Sequence, residues 1–255
     1  MRIIRTRDYK ELSSAAADVI ASQIIAKPDS VLGLATGTSP IGIYDELAER
    51  YDKGELDFGW VKSVNLDEYM GLSADNENSY RHFMNTHLFD RINIDKVNTH
   101  IPDGMTKDPA KEAASYDRMI QSLGGIDLQL LGIGRNGHIG FNEPSDHFEK
   151  CTHEVRLTES TIEANSRLFK SLSDVPTHAI TMGIGAIMMA RRILLIASGP
   201  DKAGILKEAL FGNITPKVPA SILQLHPDLI VVGDKEALPD VGSDDTYLRF
   251  TEKTA

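Results

Sequence analysis

The sequence predicts an open, mostly parallel α/β sheet with helices packed on both faces. Two observations carry this. Short β-rich apolar runs alternate along the chain with segments of helical periodicity, the order expected of a wound α/β fold. Several runs are apolar at successive rather than alternate positions, as in strands covered on both sides. The 255-residue length and 41% hydrophobic content suit one large domain, expected to span 1–255, with a sizeable core.

The expected strands are 1–5, 31–35, 61–66, 126–133, 178–182, 193–197 and 229–232. The first expected helix, 8–26, carries Leu12, Ala15, Ala16, Val19, Ile20 and Ile24 at helical spacing. Further helices are expected at 40–51, 78–89, 109–123, 160–170 and 202–211. The stretch 140–150 is polar and irregular and reads as a mobile loop or lid.

With 27 basic and 37 acidic residues, the net charge of −10 argues against a nucleic-acid partner. No uncharged apolar stretch reaches membrane-spanning length. Met1–Arg5 reads as a strand rather than a signal peptide. The single cysteine, Cys151, rules out an intrachain disulfide and fits a reducing compartment. The expectation is a cytoplasmic protein, a monomer or small homo-oligomer, with a small molecule as partner. If that molecule is an anion, an acidic chain must gather its few cations and N–H groups at one place.

Open α/β sheets bind ligands beyond the carboxyl ends of their strands. Polar and glycine-rich residues following each strand are therefore the candidates. After the second strand comes Thr36-Gly37-Thr38-Ser39-Pro40. Gly37 allows close approach to an anion, and the hydroxyls can either cap the next helix or hold a phosphate at its N-terminus. After the third strand, Asp67 and Glu68 are adjacent carboxylates. Neighbours on a strand face opposite ways, so one at most faces a given pocket, as a general base or as a turn residue bonded to loop N–H groups. After the fourth comes Gly134-Arg135-Asn136-Gly137-His138-Ile139-Gly140-Phe141-Asn142-Glu143-Pro144. Glycines beside a histidine imply close approach to a ligand, and Glu143 can orient His138 if the loop folds back. Arg167 and Lys202 are candidate phosphate ligands. No histidine and cysteine cluster has zinc spacing, so neither metal nor cofactor is expected.

Three runs together, Asn65–Tyr69, Gly134–Pro144 and Ser221–His226, resemble glucosamine-6-phosphate deaminases over nearly the whole chain. The resemblance implies a modified Rossmann-like α/β/α sandwich. It also implies an enzyme that opens the sugar ring, moves a proton from C2 to C1, and releases ammonia to leave fructose 6-phosphate. It gives Asp67 the role of the proton-shuttling base and His138 that of ring opener, with Glu143 as its carboxylate partner. Thr36, Gly37, Thr38, Ser39, Gly137, Arg167 and Lys202 fall at substrate- and phosphate-binding positions.

Two departures stand out. Some relatives carry Asp where this chain has Asn136, and an amide orients but transfers no proton. Allosterically activated members use basic residues shortly after the Asn-Glu-Pro run, where 145–155 is mixed and partly acidic, and they are longer at the C-terminus. The expectation is an enzyme without that activation. Three other readings are a galactosamine-6-phosphate deaminase, a 6-phosphogluconolactonase and a non-catalytic sugar-phosphate sensor. A sensor of the regulator type would need a DNA-binding segment ahead of the first strand.

Overall fold

The computed structural model describes residues 1–166, 169, 171 and 174–238. Its elements run β1 (Arg2–Thr6), α1 (Tyr9–Ala26), β2 (Val31–Leu34), α2 (Ile41–Asp52), β3 (Lys62–Asn65), β4 (Asp67–Tyr69), α3 (Tyr80–His87), β5 (Thr99–His100), α4 (Pro109–Ser122), β6 (Leu128–Leu131), β7 (His153–Arg156), α5 (Glu159–Asn165), β8 (His178–Thr181), α6 (Ile184–Met188), β9 (Arg192–Ala197), α7 (Ala203–Phe211) and β10 (Leu229–Asp234).

Seven strands form one parallel sheet in the order β1-β10-β9-β6-β2-β3-β5. This is the open α/β sheet read from the sequence. From β2 the chain builds outward through β3 and β5, then returns to place β6 on the other side of β2. The winding therefore reverses between β2 and β6, and a crevice opens beyond the carboxyl ends of that pair.

Helices α1, α3, α4 and α5 start at side-chain caps supplied by the sequence. Asp8 accepts from the Glu11 N–H at 2.9 Å, and the Glu11 carboxylate returns to the Arg7 N–H at 2.7 Å. From there Leu12, Ala16, Ala17, Ile20, Ala21 and Ile24 bury one face of α1. Its alanines let the backbone lie close to the sheet, while each buried Leu or Ile contributes about 1.5–3 kcal/mol. On α4, Asp108 caps and Pro109 opens the first turn.

Two expectations need correction. The segment 178–182 is not a parallel strand: β8 pairs antiparallel with β4 and β7 in a separate three-stranded sheet. An apolar run says only that a strand is buried on both faces, and β8 is buried by a separate hydrophobic cluster in which its Ala179 meets Tyr69, Phe141 and Leu157. Nor is 140–150 free of anchors. The Ser145 N–H donates to Pro216 O, Ile184 N–H to Glu149 O, and Gly185 N–H to Lys150 O. Its polar Asn142 also satisfies backbone groups, Nδ2 donating to Ile139 O and Met182 O at 2.9 Å each.

At the amino ends of the strands, Asp127 ties three segments together. Its buried carboxylate accepts from the Val31 N–H and from Lys27 Nζ, each at 2.8 Å, and pairs with Arg191. Burial alone would raise its pKa. The Lys27 and Val31 hydrogen bonds and the two cations outweigh that and hold it below the usual carboxylate value. A depressed folded pKa gives stability that is complete above the unfolded value, about 3.9, and is lost as pH falls through the folded one. Asp127→Asn is expected to lower unfolding free energy by about 1–3 kcal/mol at pH 7. The gap from wild type should shrink in acid, as read from urea midpoints at pH 7 and pH 3.

Candidate active site

The loops after β2, β3, β6 and β9 meet at the crevice. Thr36-Gly37-Thr38-Ser39 follows β2, and its anchors come from elsewhere. The Tyr44 phenol, buried and thereby pushed far above its ordinary pKa, donates to Ala35 O at 2.5 Å. Tyr9 of α1 accepts from the Gly42 N–H at 2.9 Å and donates to the Ser39 carbonyl at 3.0 Å. Tyr9 thus serves the start of α2, whose N-cap residue Pro40 makes no side-chain cap. Pro40, rather than one of the hydroxyl residues, holds the N-cap position of α2.

Lys202 approaches from the turn after β9. Its Nζ donates to Ile133 O at 2.9 Å, joining the β9 turn to the glycine-rich loop after β6. Behind it, buried Asp234 accepts from the Ser198 hydroxyl at 2.5 Å and the Gly199 N–H at 3.0 Å, fixing the turn. Arg167 lies outside the described residues.

Leu66 is the last residue joined to the parallel sheet, through its N–H to Leu34 O; its own carbonyl accepts from Met182 N–H. Beyond it the chain crosses to the small sheet. Asp67 and Glu68 therefore open β4 rather than ending the third strand, and their environments diverge. The Glu68 carboxylate accepts from the N–H groups of Tyr69 (2.8 Å), Tyr80 (2.9 Å) and Arg81 (3.0 Å), and so holds the first turn of α3. Burial raises its pKa, and these three bonds only partly offset that.

Asp67 is buried too, yet among the described residues nothing donates to its carboxylate and no cation pairs with it. Burial first, and the charge of Glu68 second, push it up to about 8. The backbone of Gly140 lies against it. A Cβ there would come within 3.4 Å of Asp67 Oδ2 and 3.0 Å of Thr181 Oγ1, and φ is +57°.

Two residues before Gly140, His138 presents its Nδ1 to Glu143 Oε2 at 3.3 Å. Its ring lies flat over the Cα of Gly134, where a Cβ would sit 2.4 Å from Cδ2 and Nε2. The loop does fold back. Asn136 accepts from the His138 N–H at 3.2 Å and donates to Glu143 Oε2 at 2.6 Å. Thr161 of α5 donates to Glu143 Oε1 at 2.5 Å. Burial would raise the Glu143 pKa, but the His138 interaction and the Thr161 and Asn136 hydrogen bonds hold it below the usual value. Both carboxylate oxygens are thus engaged, while the imidazole keeps 22% of its side-chain surface exposed for a ligand.

Gly137 carries the loop's outer support: its carbonyl accepts from the Ala220 N–H at 2.8 Å. The Ser221–His226 run is therefore a buttress. Ser221 bonds back to Thr215, and the buried His226 Nε2 bonds Ala190 O at 2.8 Å. The sequence did not single out Thr161 or Tyr9 as members of the site's frame, while Glu68 takes the alternative role read for one of the two adjacent carboxylates, bonded to N–H groups. A hydroxyl at a helix start was a weak signal, and Tyr9 gave none. Among the described residues, no group of three or more His, Cys, Asp or Glu could hold a metal ion, and no helix is long and apolar enough to cross a membrane.

A glycine turn with three hydroxyl residues, a buried carboxyl without a partner among the described residues, and an oriented imidazole at one crevice fit an enzyme of the Rossmann-like class. Residues 7–231 match the family model for glucosamine-6-phosphate isomerases and 6-phosphogluconolactonases, and the chain belongs to this family. It is 60% identical to the glucosamine-6-phosphate deaminase of Lachnoclostridium phytofermentans, over 91% of this chain and 98% of that one. Identity to the Clostridioides difficile deaminase is 51%, over 97% and 100%. A solved monomeric glucosamine-6-phosphate deaminase superposes with a TM-score of 0.91 at 47% identity, covering 93% of this chain and 98% of that one. The 6-phosphogluconolactonase of Leishmania guyanensis, at 21% identity and TM-score 0.76 over 95% and 99%, shares the fold.

Glu68→Gln keeps one acceptor for the α3 turn but removes the negative neighbour of Asp67. The Asp67 pKa is expected to fall from about 8 yet stay above the ordinary carboxylate range, because burial is the larger cause. Side-chain carboxyl NMR titration of wild type and variant checks this; equal values would assign the whole rise to burial.

Proposed function

We propose that this enzyme converts glucosamine 6-phosphate and water to fructose 6-phosphate and ammonia. The observation that carries the reading is Asp67: a buried carboxyl with no protein partner among the described residues, beside a histidine oriented by Glu143. Deaminases 51–60% identical over more than nine-tenths of the chain support the same reaction.

The phosphate is held by Thr36, Gly37, Thr38 and Ser39, with Lys202 and Arg167 as the cations, and Gly137 offers its backbone at the loop. This grip positions the sugar without entering the chemistry. His138 moves a proton between the C1 hydroxyl and the ring oxygen, opening the pyranose to an aldehyde. Glu143 keeps the imidazole oriented, and Asn136 braces Glu143.

The C1 aldehyde acidifies the C2 proton. Asp67 takes it while a proton from the C2 ammonium passes to the C1 oxygen, giving the enolamine; Asp67 then returns its proton to C1, and the double bond shifts to C2–N. Water adds to C2 of that imine, and ammonia leaves. In the empty site, a carboxyl near 8 is mostly protonated at neutral pH. The cationic C2 amino group of an incoming substrate stabilises its ionised, proton-accepting form. We place the enzyme in the cytoplasm, as a monomer or small homo-oligomer.

The test is a paired assay with glucosamine 6-phosphate and no added metal, following ammonia and fructose 6-phosphate together. Equal production supports the reading, and a galactosamine 6-phosphate arm reports the epimer. No product from folded protein overturns it. Asp67→Asn is expected to lower kcat by about 10²–10⁴-fold with KM little changed, because the amide cannot accept the proton. Near-normal turnover in steady-state kinetics would remove Asp67 from the mechanism.

A further inference from the structure

α5 is a short helix outside the strand-end loops, yet it reaches into the site by one side chain. Thr161 is buried, with 5% of its surface exposed, and its hydroxyl donates to Glu143 Oε1 at 2.5 Å. That hydroxyl is itself oriented. The Thr158 side chain, at the N-cap of α5, donates to Thr161 Oγ1 at 3.0 Å and accepts from the Thr161 N–H. The two threonines form a short relay that ends on the carboxylate. Linked donors of this kind strengthen one another in a water-poor setting.

The relay fills a specific gap. Glu143 Oε2 is shared by Asn136 and His138, and only this hydroxyl, among the described residues, engages Oε1. Glu143 has 8% of its side-chain surface exposed, so water cannot freely take the place of a lost donor. Without the hydroxyl, the carboxylate is free to rotate about its last bond, and the Oε2 contact with His138 Nδ1 is no longer fixed.

We propose that Thr161 is a positioning residue for the reaction, its hydroxyl locking the Glu143 carboxylate in the orientation that aligns His138. This rests on the functional reading above for the roles of Glu143 and His138. It adds that the alignment is set from α5, so the site is complete only when the first turn of α5 is seated. Thr161 does not touch the reacting atoms and acts through Glu143 alone.

The experiment compares Thr161→Val, which keeps the shape and removes the hydroxyl, with Thr161→Ser, which restores it. Loss of one charge-assisted hydrogen bond corresponds to a fall of about 10–100-fold. The expected result for Thr161→Val is a fall of that size in kcat, with KM for glucosamine 6-phosphate within about twofold of wild type and Thr161→Ser recovering most of the rate. Carboxyl NMR should show Glu143 titrating higher in Thr161→Val than in wild type. Unchanged kcat, or equal losses in both variants with Glu143 titrating as in wild type, overturns the proposal. If Thr161→Val does not fold, Thr161→Ala carries the same outcomes. If wild-type enzyme makes no product, the functional reading fails, and the Glu143 titration alone decides whether Thr161 holds the carboxylate.

Discussion

Leu66 is the residue on which the site depends, because its two backbone bonds belong to different sheets. Its N–H closes the ladder to Leu34 on β2, and its carbonyl opens the contact to Met182 beyond β8. A strand that simply ended there would leave the next residues in a solvated turn. Instead the chain is handed from a parallel sheet to an antiparallel one without a loop, and the backbone polar groups stay paired across the change. Asp67 is therefore buried by the small sheet it enters, while standing at the carboxyl edge of the large one.

Tyrosine hydroxyls hold the strand ends around this junction. Tyr44 bonds the carbonyl that follows β2, and Tyr116 on α4 donates to Asn65 O at 2.8 Å, one residue before Leu66. Both phenols are buried and pushed upward in pKa, so they remain donors throughout the ordinary pH range. Each helix is thereby registered to the strand end it serves, and the loops beyond those ends inherit fixed starting points. The Tyr69, Tyr80 and Phe141 rings pack beneath the small sheet, with Tyr69 and Tyr80 centroids 4.8 Å apart. This packing ties β4, α3 and the histidine loop into one body.

Two adjacent acids show how environment divides chemistry between identical groups. Glu68 is consumed by the N–H groups of α3 and its own strand, so it serves as an anchor. Asp67 receives no donor among the described residues, so its charge is costly when the site is empty. Glu143 is the opposite case, a buried carboxylate with both oxygens engaged and its pKa lowered. One carboxyl tuned upward and one tuned downward in the same crevice is the pattern expected of a proton shuttle beside an electrostatic partner.

The sequence by itself determined the parallel sheet, most of its helices and the positions of the loops that carry Gly37, His138 and Lys202. Those features are local: strand and helix periodicities, caps such as Asp8 and Asp108, and glycine-rich turns after apolar runs. The motif around His138 also declared itself, since Gly134, Gly137 and Gly140 flank the histidine and a carboxylate, Glu143, follows five residues on. Tertiary structure alone decided that 178–182 joins an antiparallel sheet, because burial on both faces looks the same whichever layers supply it. It alone decided which of Asp67 and Glu68 stays unpaired, since the N–H groups that take Glu68 lie on α3, more than ten residues away. Thr161 and Tyr9 likewise took their roles from distant partners. A hydroxyl gains a role only from the group it meets, and theirs lie 18 and more than 30 positions away.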